Sequence, residues 1–263
     1  MRRVRLLAAC AALFAAVGVT AAPKPQDKWS TVKGTIVYPA AKEAPARKKL
    51  EVSQDKEHCL SKGDILDESL IVNPKNKGIK NVVVWLRPDN QDIKSALPKD
   101  AIHPDDAKRK PAEVVIDQPC CMFIKRITTA RVGDTIVVKN PAPVAHNFRW
   151  ISGNNGELNN TVAKEATWKM ETPLVAENTP INFSCTIHPW MSGYVRVFDH
   201  PYYAVTDEDG KFEIKNAPAG KFRMVIWQEK VGFLGGREGR FGREVEIAGP
   251  TTEVKPIEFD IAP

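Results

Sequence analysis

Short β-branched runs, each closed off by glycine, proline, asparagine or aspartate, recur along the chain at residues 32–38, 81–86, 135–139, 194–198, 211–214, 222–227, 244–247 and 257–261. No long helical period competes with them. The punctuation has a mechanism. Glycine supplies positive φ, proline presets φ, and aspartate hydrogen-bonds its own backbone, so each break favours a turn. The sequence predicts an all-β fold of sandwich type. One stretch departs from the pattern. Residues 91–111 are rich in Lys, Asp and Pro and read as a surface connection, with a helical turn near 104–108.

The opening reads as an address. Arg2, Arg3 and Arg5 precede an apolar stretch from Leu6 to Thr20, and small residues follow at Ala21 and Ala22. This is the layout of a secretory signal peptide over residues 1–21, cut after Ala21 because Pro23 disfavours the next site. Leu7-Ala8-Ala9-Cys10 resembles a lipid-attachment box, but the apolar stretch before Cys10 is too short for one. No later apolar run reaches the roughly 18 residues of a membrane span. The expected location is the periplasm or the medium, with no membrane span. The full chain carries +6, and losing the three leader arginines leaves +3. Lys and Arg are spread along the chain, which excludes the basic face of a nucleic-acid binder. An oxidising compartment permits disulfides among Cys59, Cys120, Cys121 and Cys185.

The two ends of the chain share a character. Asp207-Glu208-Asp209-Gly210 and Ala217-Pro218-Ala219-Gly220 are tight turns that each feed a strand. With the runs at 32–38 and 81–86, they resemble the carboxypeptidase-regulatory-like family, whose members are small transthyretin-like β-sandwiches. The middle of the chain has another character. The expected organisation is one discontinuous sandwich from residues 28–92 and 202–263, a linker at 93–112, and an inserted domain at 113–201. Three sequential modules are the alternative.

Ser184-Cys185-Thr186-Ile187-His188-Pro189-Trp190-Met191 carries the chemistry. A thiolate, an imidazole and a thioether stand at i, i+3 and i+6. Taken singly, each has an ordinary role: half a disulfide, a solvated ring, a core side chain. Together with His146, which lies upstream after the strand opened by Val132-Gly133-Asp134-Thr135, they form the donor set of an electron-transfer copper site. Soft sulfur donors hold Cu(I), imidazole serves both oxidation states, and a trigonal set with a weak axial Met suits both.

Val132-Gly133-Asp134-Thr135, Asn140, His146-Asn147 and Cys185-x-x-His188-x-x-Met191 resemble the cupredoxins, with a short ligand loop most similar to that of amicyanin. The resemblance covers residues 113–200 and implies a Greek-key sandwich that carries one type 1 copper on His146, Cys185, His188 and Met191. It also implies that the Asn147 side chain braces the ligand loop. The pairing of the two sandwiches resembles bacterial proteins labelled methylamine-utilization or cupredoxin-domain proteins. Soft side chains meet again at His58-Cys59 and Cys120-Cys121-Met122, where a disulfide is favoured over a second metal site. The resemblance implies a bridging Cys before a strand Phe, here Cys121 before Phe123, so Cys59–Cys121 is the expected bridge. Cys59–Cys120 remains the alternative, since a one-residue shift turns a side chain to the other face. Arg126 departs from the resemblance, which implies His there. His103 and His200, each beside Pro, are expected to be solvated.

The function that follows is electron transfer without catalysis. Copper binding or delivery is one alternative, and a β-sandwich binding module with an accessory copper site is another. An enzyme is not expected. The chain has five histidines, too few for further copper centres, and four protein ligands leave no open position for substrate. Ile187, Pro189, Trp190, Pro141, Pro143 and Val144 form an apolar surround, expected to frame an exposed His188 edge. A redox partner protein would dock near His188 and Trp190.

Overall fold

The structure is a computed structural model that describes residues 28–262. The leader expected over residues 1–21 lies outside them. Among the described residues, no helix is long and apolar enough to cross a membrane. The fold is all-β, in two packed bodies.

Strands from both ends of the chain share the sheets of the first body. Trp29–Val37 runs antiparallel to Lys211–Pro218, with Val32 opposite Ile214. It also runs parallel to Thr251–Glu253 and Ile257–Glu258. In the facing sheet, Val83–Pro88 lies between Tyr203–Val205 and Gly220–Gln228. Val32, Ile36, Val84, Leu86 and Ile226 meet in the core between the sheets. The turn before Lys211–Pro218 forms for a local reason. The Asp207 carboxylate accepts from the backbone N–H groups of Asp209 and Lys211, and Gly210 sits at φ +72. A Cβ on Gly210 would lie 2.3 Å from the Ile36 carbonyl oxygen, so only glycine fits.

The second body packs two sheets. One holds Glu113–Asp117, Thr135–Asn140 and Ala166–Lys169. The other has the order Ile127–Arg131, Ser192–Phe198, Ile181–Ser184, His146–Ile151 and Glu157–Val162. Phe123, Phe148 and Phe183 interlock at its centre, with Phe123 and Phe183 edge to face at 4.9 Å. Residues grouped by the sequence with the first sandwich also enter this core. Val52, Cys59 and Ile65 are buried in it, so the segment around them crosses over and covers one end of the second body.

Alternation along one strand explains how the bodies join. Val83–Pro88 is buried on both faces. Val84 and Leu86 point into the first core, while Val83 and Trp85 point the other way and meet Ile127 and Phe198. Period-2 geometry makes one strand serve both contacts. Polar groups reinforce the joint. Arg126 donates to both Glu229 carboxylate oxygens, at 2.8 Å from Nε, and to the Ser192 carbonyl at 2.8 Å. Both side chains are largely withdrawn from water. The connection at 93–112 contains the short helix Pro104–Ala107, capped by the His103 ring, whose Nδ1 accepts from the Asp105 N–H. It is tied down by Arg109, which grips the fully buried Asp134 carboxylate with two hydrogen bonds of 2.8 Å.

His200 corrects the sequence reading. It is buried at the joint, not solvated, and lies against Phe198 and Tyr202. Burial, with the charges of Arg196 and Arg131 nearby, pushes its pKa down to about 3, so the ring stays neutral and its Nδ1 accepts from the Tyr202 N–H. The misreading came from treating His-Pro as turn sequence, whereas packing of the two bodies covers this turn.

We expect Glu229→Ala to destabilise the protein by roughly 3–5 kcal/mol, because it leaves the Arg126 guanidinium buried without its counter-charge. Replacing both residues by Met and Leu should cost much less. Urea unfolding curves of the three proteins check this.

Candidate metal centre

Two neighbouring strands and one loop build the centre. His146 opens the strand His146–Ile151, which pairs with Glu157–Val162 on one side and Ile181–Ser184 on the other. Ile181–Ser184 then turns back into Ser192–Phe198, with Ser184 opposite Ser192. Residues 185–191 are the connection between those two strands. Backbone bonds close it: the Cys185 N–H donates to the Met191 carbonyl at 3.1 Å, and the Met191 N–H donates to the His188 carbonyl at 2.9 Å. Cys185, His188 and Met191 therefore hang from one closed turn.

Asparagines hold both approaches. The Asn147 side-chain oxygen accepts from the Thr186 N–H, and its amide donates to Asn159. This ties the ligand loop to the His146 strand. Asn140 is fully buried. Its amide donates to the carbonyls of Val144, Val162 and Ala163, and its oxygen accepts from the Ala142 N–H. The turn that delivers His146 is thus fixed from one side chain.

His146, Cys185 and His188 are all buried, and their ligand atoms lie within 4.8 Å of one another. The two Nδ1 atoms face each other at 2.9 Å, and the Cys185 sulfur stands 3.9 Å from His188 Nδ1. Met191 is buried directly after them in the same loop. The backbone N–H groups of Asn147 and His188 point at the Cys185 sulfur, at 3.3 and 3.4 Å. Burial alone would raise the Cys185 pKa. Hydrogen bonds from His146 and His188 and from those two N–H groups outweigh it and bring the thiol down to about 6. Burial lowers the His188 pKa, but Cys185 and the Asp55 carboxylate reverse this and leave it raised. His146 Nε2 is buried with no partner among the described residues. A buried thiolate facing two imidazole nitrogens is a donor set that fits a soft or borderline metal ion.

The surroundings of His188 differ from the sequence reading. Its edge is not exposed: the ring is fully buried, and its Nε2 meets the Asp55 carboxylate at 2.8 Å. Trp190 turns partly inward, with its indole N–H on the Cys121 carbonyl and its ring against His188. Cys59 and Cys121 form a disulfide beside them, and Cys120 is a free thiol. Two of the sulfurs considered for a second metal site, those of Cys59 and Cys121, are thereby consumed. Sequence reasoning missed Asp55 altogether. Its only local signal is an acidic residue ahead of His58-Cys59.

No protein-family profile matches the chain, and no curated protein does. Solved structures similar to part of it include amicyanins. A mutant of amicyanin in its Cu(I) form shares 26% identity over 33% of this chain and 82% of its own, with a TM-score of 0.30. A reduced mutant of amicyanin has the same identity and TM-score over 35% and 89%. An oxidized mutant matches at 25% identity over the same shares, again with a TM-score of 0.30.

Because the Cys185 pKa is depressed from its ordinary 9.0, the stabilisation from its thiolate is fully present above about pH 9 and is lost as pH falls through about 6. In the metal-free protein, ultraviolet thiolate absorbance should therefore rise around pH 6 in a step absent from Cys185→Ser. His188→Ala should move that step upward.

Proposed function

We propose that the chain is an exported type 1 copper protein that passes single electrons between redox partners. One observation carries this reading: His146, Cys185 and His188, all buried, bring their ligand atoms within 4.8 Å of one another. Bound there, copper would supply one-electron exchange between its two common oxidation states. His146, Cys185 and His188 would hold it, and the buried Met191 thioether would be the weak fourth donor.

The rest of the work belongs to the protein. Asn140 and Asn147 hold both ligand approaches in place, so little rearranges when charge changes. The N–H groups of Asn147 and His188 disperse charge on the Cys185 sulfur. Phe148 and Phe183, in the core of the same body, leave the ligand turn little room to shift. A closed set of four ligands, without an open position, favours an electron carrier over an enzyme. A firmly held thiolate also favours keeping copper over handing it on. Pro141, Pro143, Ala145 and Pro189, close in sequence to His146 and His188, are exposed. They supply the small apolar surface on which a transient redox partner would dock.

The test is the visible spectrum of the Cu(II)-loaded protein. We expect an intense thiolate-to-copper band toward the red, absent from Cys185→Ser. A colourless loaded protein, or a blue Cys185→Ser variant, would reject the assignment. Met191→Gln should keep the band and lower the reduction potential by roughly 100 mV, rather less than two tenfold steps for a one-electron couple, because an amide oxygen favours Cu(II). An unmoved or raised potential in voltammetry would remove Met191 from the donor set.

A further inference from the structure

The segment that covers His188 lies outside the two sheets of the metal-binding body. It leaves the first sandwich after Trp29–Val37, buries Val52 and Ile65 in the second core, and returns. Asp55 stands at the start of the short helix Lys56–Cys59, where a carboxylate ordinarily caps the helix. Its side chain makes no cap bond. It reaches His188 Nε2 instead, at 2.8 Å. Its backbone is held in the left-handed region, φ 47, with its carbonyl accepting from the Cys59 N–H at 2.9 Å. Cys59 is fixed in turn by its disulfide to Cys121, whose carbonyl receives the Trp190 indole N–H. A non-glycine residue in this conformation, with its capping function given up, has its carboxylate directed elsewhere by the surrounding structure.

We propose that Asp55 is a positioning residue for the metal site: the first sandwich reaches across to fix the orientation and charge environment of a ligand carried by the second. The inference rests on the copper reading for its electrochemical consequence alone. An ionised carboxylate only accepts hydrogen bonds, so His188 Nε2 must carry the proton. In the neutral ring the Nδ1 lone pair is then directed toward His146 and Cys185, where a metal would sit. A carboxylate behind a ligating imidazole also makes that ligand more basic. Its negative charge favours the more highly charged metal ion and so lowers the reduction potential. Because Asp55 is itself part-exposed at 40%, it can be replaced without opening a cavity in either core.

Two variants separate orientation from charge. Asp55→Ala removes both the acceptor and the charge, and Asp55→Asn keeps an acceptor and removes the charge. In the metal-free protein at alkaline pH, where the ring is neutral, nitrogen-15 NMR of the imidazoles reads the tautomer. We expect a single Nε2–H tautomer for His188 in the parent and in Asp55→Asn, and a mixture in Asp55→Ala. In the copper-loaded proteins, both variants should raise the reduction potential by about 59 mV or more, a tenfold shift in a one-electron equilibrium. A purely structural Asp55 would lower the melting temperature of Asp55→Ala while leaving the tautomer and the potential where they were, and that outcome would overturn the proposal. If the parent takes up no copper, the functional reading fails, and the tautomer measurement still decides the role of Asp55.

Discussion

A thiol buried at Cys185 and drawn toward ionisation has to be compensated, and much of the second body is arranged around that need. An isolated buried charge costs far more than a domain of this size can spare. Here two backbone N–H groups and two imidazoles surround the sulfur. Each comes from an element with its own support. The Asn147 N–H belongs to a strand paired on both sides, and the His188 N–H belongs to a turn closed by the Met191 and His188 backbone bonds. Removing any one support would leave charge and donor misaligned. The site is therefore as rigid as the sandwich that carries it, which suits a centre whose proposed task is to gain and lose an electron with little movement.

The two bodies depend on each other through geometry that neither has alone. Val83–Pro88 is buried on both faces because each face meets a different core. The Arg126–Glu229 pair crosses the same joint, and the loop around Asp55 crosses back at the metal end. The outer sandwich thus supplies part of the wall around the ligands. This accounts for a fully buried His188 in a loop where sequence composition alone points to an exposed rim.

Much of the fold was legible from local pattern. Runs of Val, Ile and Thr between turn residues marked the strands at both ends of the chain, because burial against a pleated surface selects those residues. The strands that escaped notice are instructive. Glu157–Val162 reads Glu-Leu-Asn-Asn-Thr-Val and alternates between exposed and covered positions at the edge of its sheet. Only pairing with His146–Ile151 makes it a strand. Glu113–Asp117 and Ile127–Arg131 lie in parallel pairings with partners distant in sequence, so no hairpin signal announces them.

The sequence by itself determined the all-β character, the Cys-His-Met spacing of one loop and the upstream histidine, because these follow from short-range periodicity and from donor chemistry that residue type alone dictates. Tertiary structure decided what surrounds the donors. Asp55 reaches His188 across 133 residues, Glu229 reaches Arg126 across 103, and His200 is neutral because two bodies close over it. Such pairings leave no local signature. A carboxylate, an arginine or a histidine takes its role from the dielectric and the partner that folding brings to it, and neither exists until distant segments pack together.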